Sequence, residues 1–276
     1  MILSFDQVYN TIRPGEAMLY GLKTIDRCLD HWRAVQDVSK LDGDLIEVGV
    51  WRGGTSVLAA AQMKNTECSG TLYMCDTWTG ISKDQTSNKD LYIGGEHADA
   101  KVEDVVEVFR KLGLTENPPS EIFVGLFPKE TGKIVETKRF KYVSLDVDIF
   151  EATSKSFEFL WKRMVPGGIL IIDDYNWPRT PGITEFCKSL NLNDIYAERQ
   201  QSSDNHFIIK KLKVWFVGKK EYVVFKGYID DYFVIKSREI GSCGIFELSA
   251  NKTWDTRELA ETELSTFANT YKVGEL

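Results

Sequence analysis

Between Gly15 and about Val38 the apolar residues Met18, Leu22, Ile25, Leu29 and Trp32 recur at three- and four-residue spacing, which predicts an amphipathic helix. The period then changes. Asp44 to Gly49 reads as a short buried strand, Val50 to Thr55 as its loop, and Ser56 to Met63 as a helix with a small-residue face at Ala59, Ala60 and Ala61. Thr71 to Cys75 predicts a second strand that stops at Asp76. Asp99 to Leu112 follows as a helix, Glu121 to Val124 and Lys141 to Leu145 as strands, and Ala152 to Val165 as a helix with Phe157, Leu160, Trp161 and Met164 on one face. Pro166-Gly167-Gly168 is expected to terminate that helix, and Ile169 to Ile172, a continuous β-branched and leucine run, suits a strand buried on both faces of a parallel sheet. Strands and helices alternating at this length predict an α/β fold with a doubly wound, mostly parallel sheet.

Residues 82–97 break the pattern: they are polar, carry Gly94 and Gly95, and follow neither period. A loop of that length in a compact domain more often covers a site than merely connects, so it is a candidate lid. After a helix near Thr180 to Leu190, Ile195 to Glu198 and His206 to Lys210 predict an antiparallel edge hairpin. The composition then shifts. Val214 to Val217, Tyr222 to Phe225, Tyr232 to Ile235 and Gly244 to Leu248 read as short strands, and Thr256 to Tyr271 as a last helix. The expected organisation is a catalytic-type domain over residues 1–211 and a β-rich C-terminal appendage over 212–276 that ends in the helix.

Candidate chemistry gathers at strand ends. Asp146-Val147-Asp148 closes one hydrophobic strand and Asp173-Asp174 the next. In a parallel sheet those ends open onto a common crevice, where ligands bind. Asp173-Asp174 alone is more often ordinary turn chemistry, but two aspartate pairs on successive strands crowd charges that must be compensated. Hard oxygen ligands without a nearby His or Cys favour Mg²⁺, with Mn²⁺ or Ca²⁺ as alternatives. Glu47-x-Gly49-x-x-x-Gly53-Gly54 offers a second feature, a glycine-bearing strand-to-helix loop suited to an anion. It is not a G-x-G-x-x-G fingerprint, and its weight comes from Asp76 at the next strand end, where a carboxylate can accept both ribose hydroxyls. A nucleoside-containing cofactor is the expectation.

With 276 residues, 43% of them hydrophobic, the chain can bury a full core, and its net charge of -7, without a basic cluster, argues against nucleic acid or an anionic membrane surface as a partner. Five scattered cysteines with no C-x-x-C pair indicate reduced thiols rather than a disulfide framework or a zinc site. With no signal-peptide pattern and no run of the roughly 20 apolar residues a membrane helix needs, a cytoplasmic protein is expected. His31 is placed on the polar, solvated side of its helix, His206 reads as structural, and His97 as a loop histidine. Trp78, Tyr92 and Trp177 are aromatic candidates for stacking on substrate or adenine, with packing an equal alternative.

Gly43 to Gly54, Asp76-Thr77-Trp78-Thr79-Gly80, Leu145 to Thr153, and Pro166-Gly167-Gly168 through Asp173-Asp174-Tyr175 together closely resemble the macrocin O-methyltransferase family. The resemblance runs from about Asn10 to Lys210 and has four motifs in the family order. It implies a Rossmann-like class I methyltransferase that uses S-adenosylmethionine and Mg²⁺ to methylate hydroxyls of sugars, and sometimes phenols. Carried over, it sets Glu47, Gly49, Gly53 and Thr55 around the methionine end of the cofactor and Asp76 on its ribose, with Trp78 and, more loosely, Gly125 in the same pocket. It makes Asp146, Asp173 and Asp174 metal ligands and Asp148 the general base. A vicinal diol is the natural acceptor for such a site, and a homo-oligomer, a dimer above all, is implied.

The family's Asp-Gly-Asp is Asp146-Val147-Asp148 here, its Tyr is Phe150, and its Asp-Ser-Phe-Glu-Gly is Asp76 to Gly80; no ligand oxygen is lost. Two other readings stand beside this one. A metal-dependent phosphate-ester hydrolase would explain the carboxylates but not Glu47 with Asp76, and a non-catalytic binding or scaffold module would keep the fold alone.

Overall fold

The computed structural model describes residues 2–15, 19–217, 220–226, 233–239, 247–248, 254 and 257–272. The chain divides into two compact units, one of Met1–Ser189 with Gln200–Ile209 and the other of Leu190–Arg199 with Lys210–Leu276.

In the first unit α1 (Phe5–Ile12) begins at a capping box in which Ser4 and Gln7 satisfy each other's backbone N–H. Thr24 caps α2 (Ile25–Val38). Then follow β1 (Asp44–Val48), α3 (Gly54–Asn65), β2 (Leu72–Asp76), α4 (Val102–Lys111), β3 (Ser120–Val124), β4 (Phe140–Leu145), α5 (Phe150–Trp161), β5 (Met164–Asp173) and α6 (Pro181–Ser189); β6 (Ala197–Arg199) falls in the second unit, and β7 (His206–Lys211) begins in the first and ends in the second. The seven strands form one sheet in the order β3-β2-β1-β4-β5-β7-β6. The pairs β3-β2, β2-β1, β1-β4 and β4-β5 are parallel. β6 and β7 are joined by residues 200–205, too few for a parallel crossover, so they form the antiparallel edge hairpin.

Leu45, Leu72, Met74, Tyr142, Ile169 and Ile171 on one face of the sheet pack with buried residues of α1 to α4. The alternate residues Ile46, Val143, Leu170 and Ile172 are equally buried, as a sheet covered on both sides requires. α3 is buried from Gly54 to Met63, so it has no polar face and runs through the core. The order 3-2-1 to one side of β1 and 4-5 to the other puts a reversal between β1 and β4. The carboxyl ends of those strands carry Gly49 and Asp146, and a crevice opens there.

Several expected elements shift. The buried stripe of α2 is Cys28, His31, Ala34, Val35 and Val38, about one residue-step around the helix from the expected stripe, while Leu22 and Ile25 are exposed and Met18 lies outside the described residues. His31 is therefore fully buried rather than solvated. Pro166-Gly167-Gly168 lies inside β5 instead of ending a helix; the pairing with β4 is irregular between Phe140 and Tyr142, which accommodates a proline without an N–H. α1 has no counterpart among the expected elements. Cys28, Cys68, Cys75 and Cys187 are buried thiols, and Cys243 lies outside the described residues.

In the second unit β8 (Val214–Val217), β9 (Lys220–Lys226), β10 (Phe233–Glu239) and β11 (Glu247–Leu248) form an antiparallel sheet, followed by α7 (Arg257–Lys272). The expected strand residues Tyr232 and Gly244 to Phe246 lie outside the described residues. Trp215, Val224, Ile235, Trp254, Ala260 and Leu264 make a core of their own.

Candidate active site

A cavity of about 350 Å³ opens at the carboxyl ends of β1, β2, β4 and β5, a size that suits a small-molecule ligand. Its walls belong to the first unit. Glu47, Gly49, Thr55, Asp76, Trp78 and Gly125 line one side, and Asp146, Asp148, Asp173 and Asp174 another. Gly53 is not on the wall. It stands in the left-handed conformation at the N-cap of α3, packed against Val105.

Gly49 is required by geometry. Its φ is +86°, and a Cβ there would sit 1.7 Å from the Asp146 carbonyl oxygen, so a side chain would push the β1 loop off the end of β4. Asp76 organises the same corner. Its Oδ2 accepts N–H bonds from Val50 (2.7 Å) and Trp51 (2.9 Å), and its Oδ1 accepts one from Trp78 (2.9 Å). A carboxylate has about four lone-pair positions, so one remains for a ligand hydroxyl. Trp78 is fixed in turn by its indole N–H to the Trp51 carbonyl at 2.8 Å. Glu47 is buried, and burial pushes its carboxyl up to about 8, against a hydrogen bond from the Ser56 hydroxyl that works the other way.

The acidic side is a charge network. Carboxylate oxygens of Asp146, Asp148 and Asp174 lie within 4.8 Å of one another. Burial, then the charge of Asp173, raises Asp146 to about 7. Burial, then Asp146 and Asp174, holds Asp148 well above the carboxylate range, and Asp174 is raised by burial and Asp173. Asp173 differs from its neighbours. Burial would raise it, but Lys23, His206 and Arg27 outweigh that and hold it ionised, well below the ordinary value. Its Oδ1 meets Arg27, His206 Nε2 at 3.1 Å and the Asp174 N–H at 2.9 Å, and its Oδ2 meets the Lys23 ammonium. Lys23 also touches Asp146, Arg27 reaches Asp174 at 2.9 Å, and Asp30 holds His206 Nδ1 at 2.8 Å. His206 is thus buried between two carboxylates. Burial would lower it, but Asp173 and Asp30 raise it.

Four carboxylates face Lys23, Arg27 and a His206 that they share with Asp30, and the surplus negative charge is what a divalent cation would neutralise. The Lys23 ammonium, already seated between Asp146 and Asp173, shows that a cation fits among these oxygens. Trp51, Trp78, His97, Asp148 and Asp174 all line the cavity with φ between 49° and 62°. Left-handed backbone at non-glycine residues is costly and collects at sites where side chains must be aimed.

Sequence reasoning brought together the four aspartates, Glu47 and Asp76. It missed Lys23, Arg27 and His206, whose partners stand 123 to 176 residues away in the chain and which no local pattern marks. From the loop of residues 82–97, Ser82, Gln85, Tyr92 and His97 reach the cavity, and Trp177 stands at its mouth, 43% exposed. His31 lies directly behind this network, its ring edge-on to that of His206 with centroids 5.0 Å apart. Its Nδ1 is 2.6 Å from the Tyr142 hydroxyl, and burial followed by His206 holds it well below its ordinary value, hence neutral.

A mostly parallel sheet in the order 3-2-1-4-5-7-6 with a ligand cavity at its switch point is the class I methyltransferase fold. Solved structures share it. The O-methyltransferase NovP superposes with a TM-score of 0.62 at 23% identity over 75% of this chain and 88% of NovP, and the calicheamicin methyltransferase CalS11 with 0.55 at 17% over 76% and 94%. The macrocin-O-methyltransferase (TylF) family profile matches residues 15–200, and the chain belongs to that family. Among its relatives, the 8-demethyl-8-(2,3-dimethoxy-alpha-L-rhamnosyl)-tetracenomycin-C 4'-O-methyltransferase of Streptomyces olivaceus is 29% identical over 164 residues, 57% of this chain and 62% of that protein. The mycinamicin III 3''-O-methyltransferase of Micromonospora griseorubida is 27% identical over 179 residues, 62% and 68% of the two chains. The matches thus span about two thirds of these relatives' lengths.

Proposed function

We propose that the protein transfers the methyl group of S-adenosylmethionine to a hydroxyl of a sugar or a sugar-bearing natural product, with a divalent cation, Mg²⁺ by preference, in the aspartate cluster. The observation that carries this is the meeting in one cavity of the Glu47, Gly49 and Asp76 corner with the four aspartates. The relatives named for methylation of sugars support the acceptor class.

S-Adenosylmethionine supplies an electrophilic methyl on sulfur, and the cation supplies charge that lowers the pKa of a hydroxyl beside it. The chain does the rest. Glu47 and the N-terminal end of α3 at Thr55 bind the methionine end, Asp76 accepts a ribose hydroxyl with its remaining lone pair, and Trp78 closes over the ribose. Asp146, Asp173 and Asp174 would hold the cation. Arg27 and His206 hold Asp173 Oδ1 in place, so it need not reorganise during turnover. Once the surplus charge is neutralised, Asp148 is left as a carboxylate able to take the proton from the attacking oxygen. Two neighbouring hydroxyls would satisfy the cluster better than one, so a vicinal diol is the acceptor of choice. Closure of the 82–97 loop would exclude water from the attack. A dimer or larger homo-oligomer belongs to the same reading, by the family resemblance.

The test uses methyl-labelled S-adenosylmethionine with a panel of vicinal-diol sugars, free and glycosidically linked, in Mg²⁺ or in EDTA. Label should move to an acceptor only with Mg²⁺. Asp148→Asn should lower kcat by about 10²-fold or more while cation binding persists, whereas Asp174→Asn should lose both. Transfer undiminished in EDTA would remove the cation from the account.

A further inference from the structure

We propose that Lys23 and the divalent cation are alternative occupants of the Asp146–Asp173 carboxylate pair, so that the residue just before α2 controls metal loading of the site; this rests on the cation-dependent reading above. Lys23 is a lysine only 8% exposed, and its ammonium touches both carboxylates at once. On Asp173, Oδ1 is already engaged by Arg27, His206 and the Asp174 N–H, so Oδ2 is the oxygen left to give, and Lys23 sits on it. Asp173 therefore cannot offer that oxygen to a metal while Lys23 stays. The same holds for the Asp146 oxygen that Lys23 covers.

The arrangement suits release as well as occupancy. Residues 21–24 carry no regular secondary structure, and the lysine stem is a flexible four-carbon chain that can withdraw its head without moving a helix. Asp146 and Lys23 both line the cavity, which gives the ammonium a way out and a cation a way in. Arg27, held on the helix behind, does not share this freedom: it bonds Asp173 and Asp174 together and remains as the permanent counter-ion. Seated there, Lys23 thus offsets one charge of the pair and holds both carboxylates in place, and it must leave for the oxygens that it covers to meet a cation.

Calorimetric titration of MgCl₂ and MnCl₂ into the full chain, into Lys23→Met and into Lys23→Arg tests this. Lys23→Met keeps the apolar stem but removes the charge, and should bind the cation at least tenfold more tightly than wild type; Lys23→Arg, which keeps the charge, should bind no more tightly than wild type. Wild-type protein gives an independent readout. Reductive methylation with formaldehyde, read by peptide mass spectrometry, should spare Lys23 in EDTA and modify it at saturating Mg²⁺. If wild type binds the cation but Lys23→Met binds it no better, or if Lys23 stays protected at saturation, the competition is overturned while the cation site stands. If neither wild type nor Lys23→Met binds either cation, the underlying reading itself falls. Should Lys23→Met fail to fold, the labelling experiment decides alone.

Discussion

Glu47 shows how much a single buried group can report. Its carboxyl titrates near 8 in the folded chain against 4.5 in an open one. Between those values the native state holds a proton that the unfolded state has lost, so its contribution to stability is full below about 4.5, declines as pH rises through the window, and levels off above about 8. Urea denaturation of Glu47→Gln should therefore show a flatter pH dependence than wild type across that range, because amide and protonated acid need no ionisation. If Glu47 also accepts from the cofactor's amino group, binding below pH 8 must expel its proton, and the binding enthalpy will vary with the ionisation enthalpy of the buffer. At this scale the sequence was legible where chemistry sits at a strand end: Asp146, Asp148, Asp173, Asp174 and Asp76 are placed by strand position alone. Lys23, Arg27 and His206 were not, because a counter-ion is chosen by proximity in space and carries no local period.

Elements were read best where burial is complete. β4 and the second half of β5 are buried on both faces, which is where a run such as Ile169 to Ile172 belongs. Ile171 is fully buried in the core between the sheet and α1 to α4, so Ile171→Ala should cost about 2–5 kcal/mol in chemical denaturation. α2 was read with its apolar stripe rotated, for a physical reason: its buried face carries His31 in place of an aliphatic residue, while apolar Ile25 sits on the surface. The 82–97 segment is tied down at points, since Asp90 accepts the Phe150 N–H at 2.8 Å and Glu96 accepts those of Ile93 and Gly94. Leu91 and Ile93 remain exposed at 65% and 78%. If the segment closes on ligands, hydrogen exchange of its amides should slow when S-adenosylhomocysteine and Mg²⁺ are added; unchanged exchange would make it a fixed wall.

For the whole molecule, the useful boundary is not a single cut. Leu190–Arg199 belongs with Lys210–Leu276, where Tyr196 bonds Glu221 at 2.7 Å and Arg257 bonds Glu198 at 2.5 Å, although it precedes β7 in sequence. Composition marks the β-rich stretch after residue 212, but it cannot reveal that an earlier segment joins it. A chain ending at Lys211 should consequently lose thermal stability or solubility, because the partners of Tyr196 and Glu198 go with the deleted part; a truncated chain with unchanged melting would make that grouping dispensable. What unites the account is the cofactor. The most direct test is calorimetric titration of S-adenosylmethionine into the wild-type chain and Asp76→Asn, each with and without Mg²⁺. The account predicts one saturable site per chain that Asp76→Asn weakens at least tenfold, and absence of binding to the wild type in both conditions would contradict it.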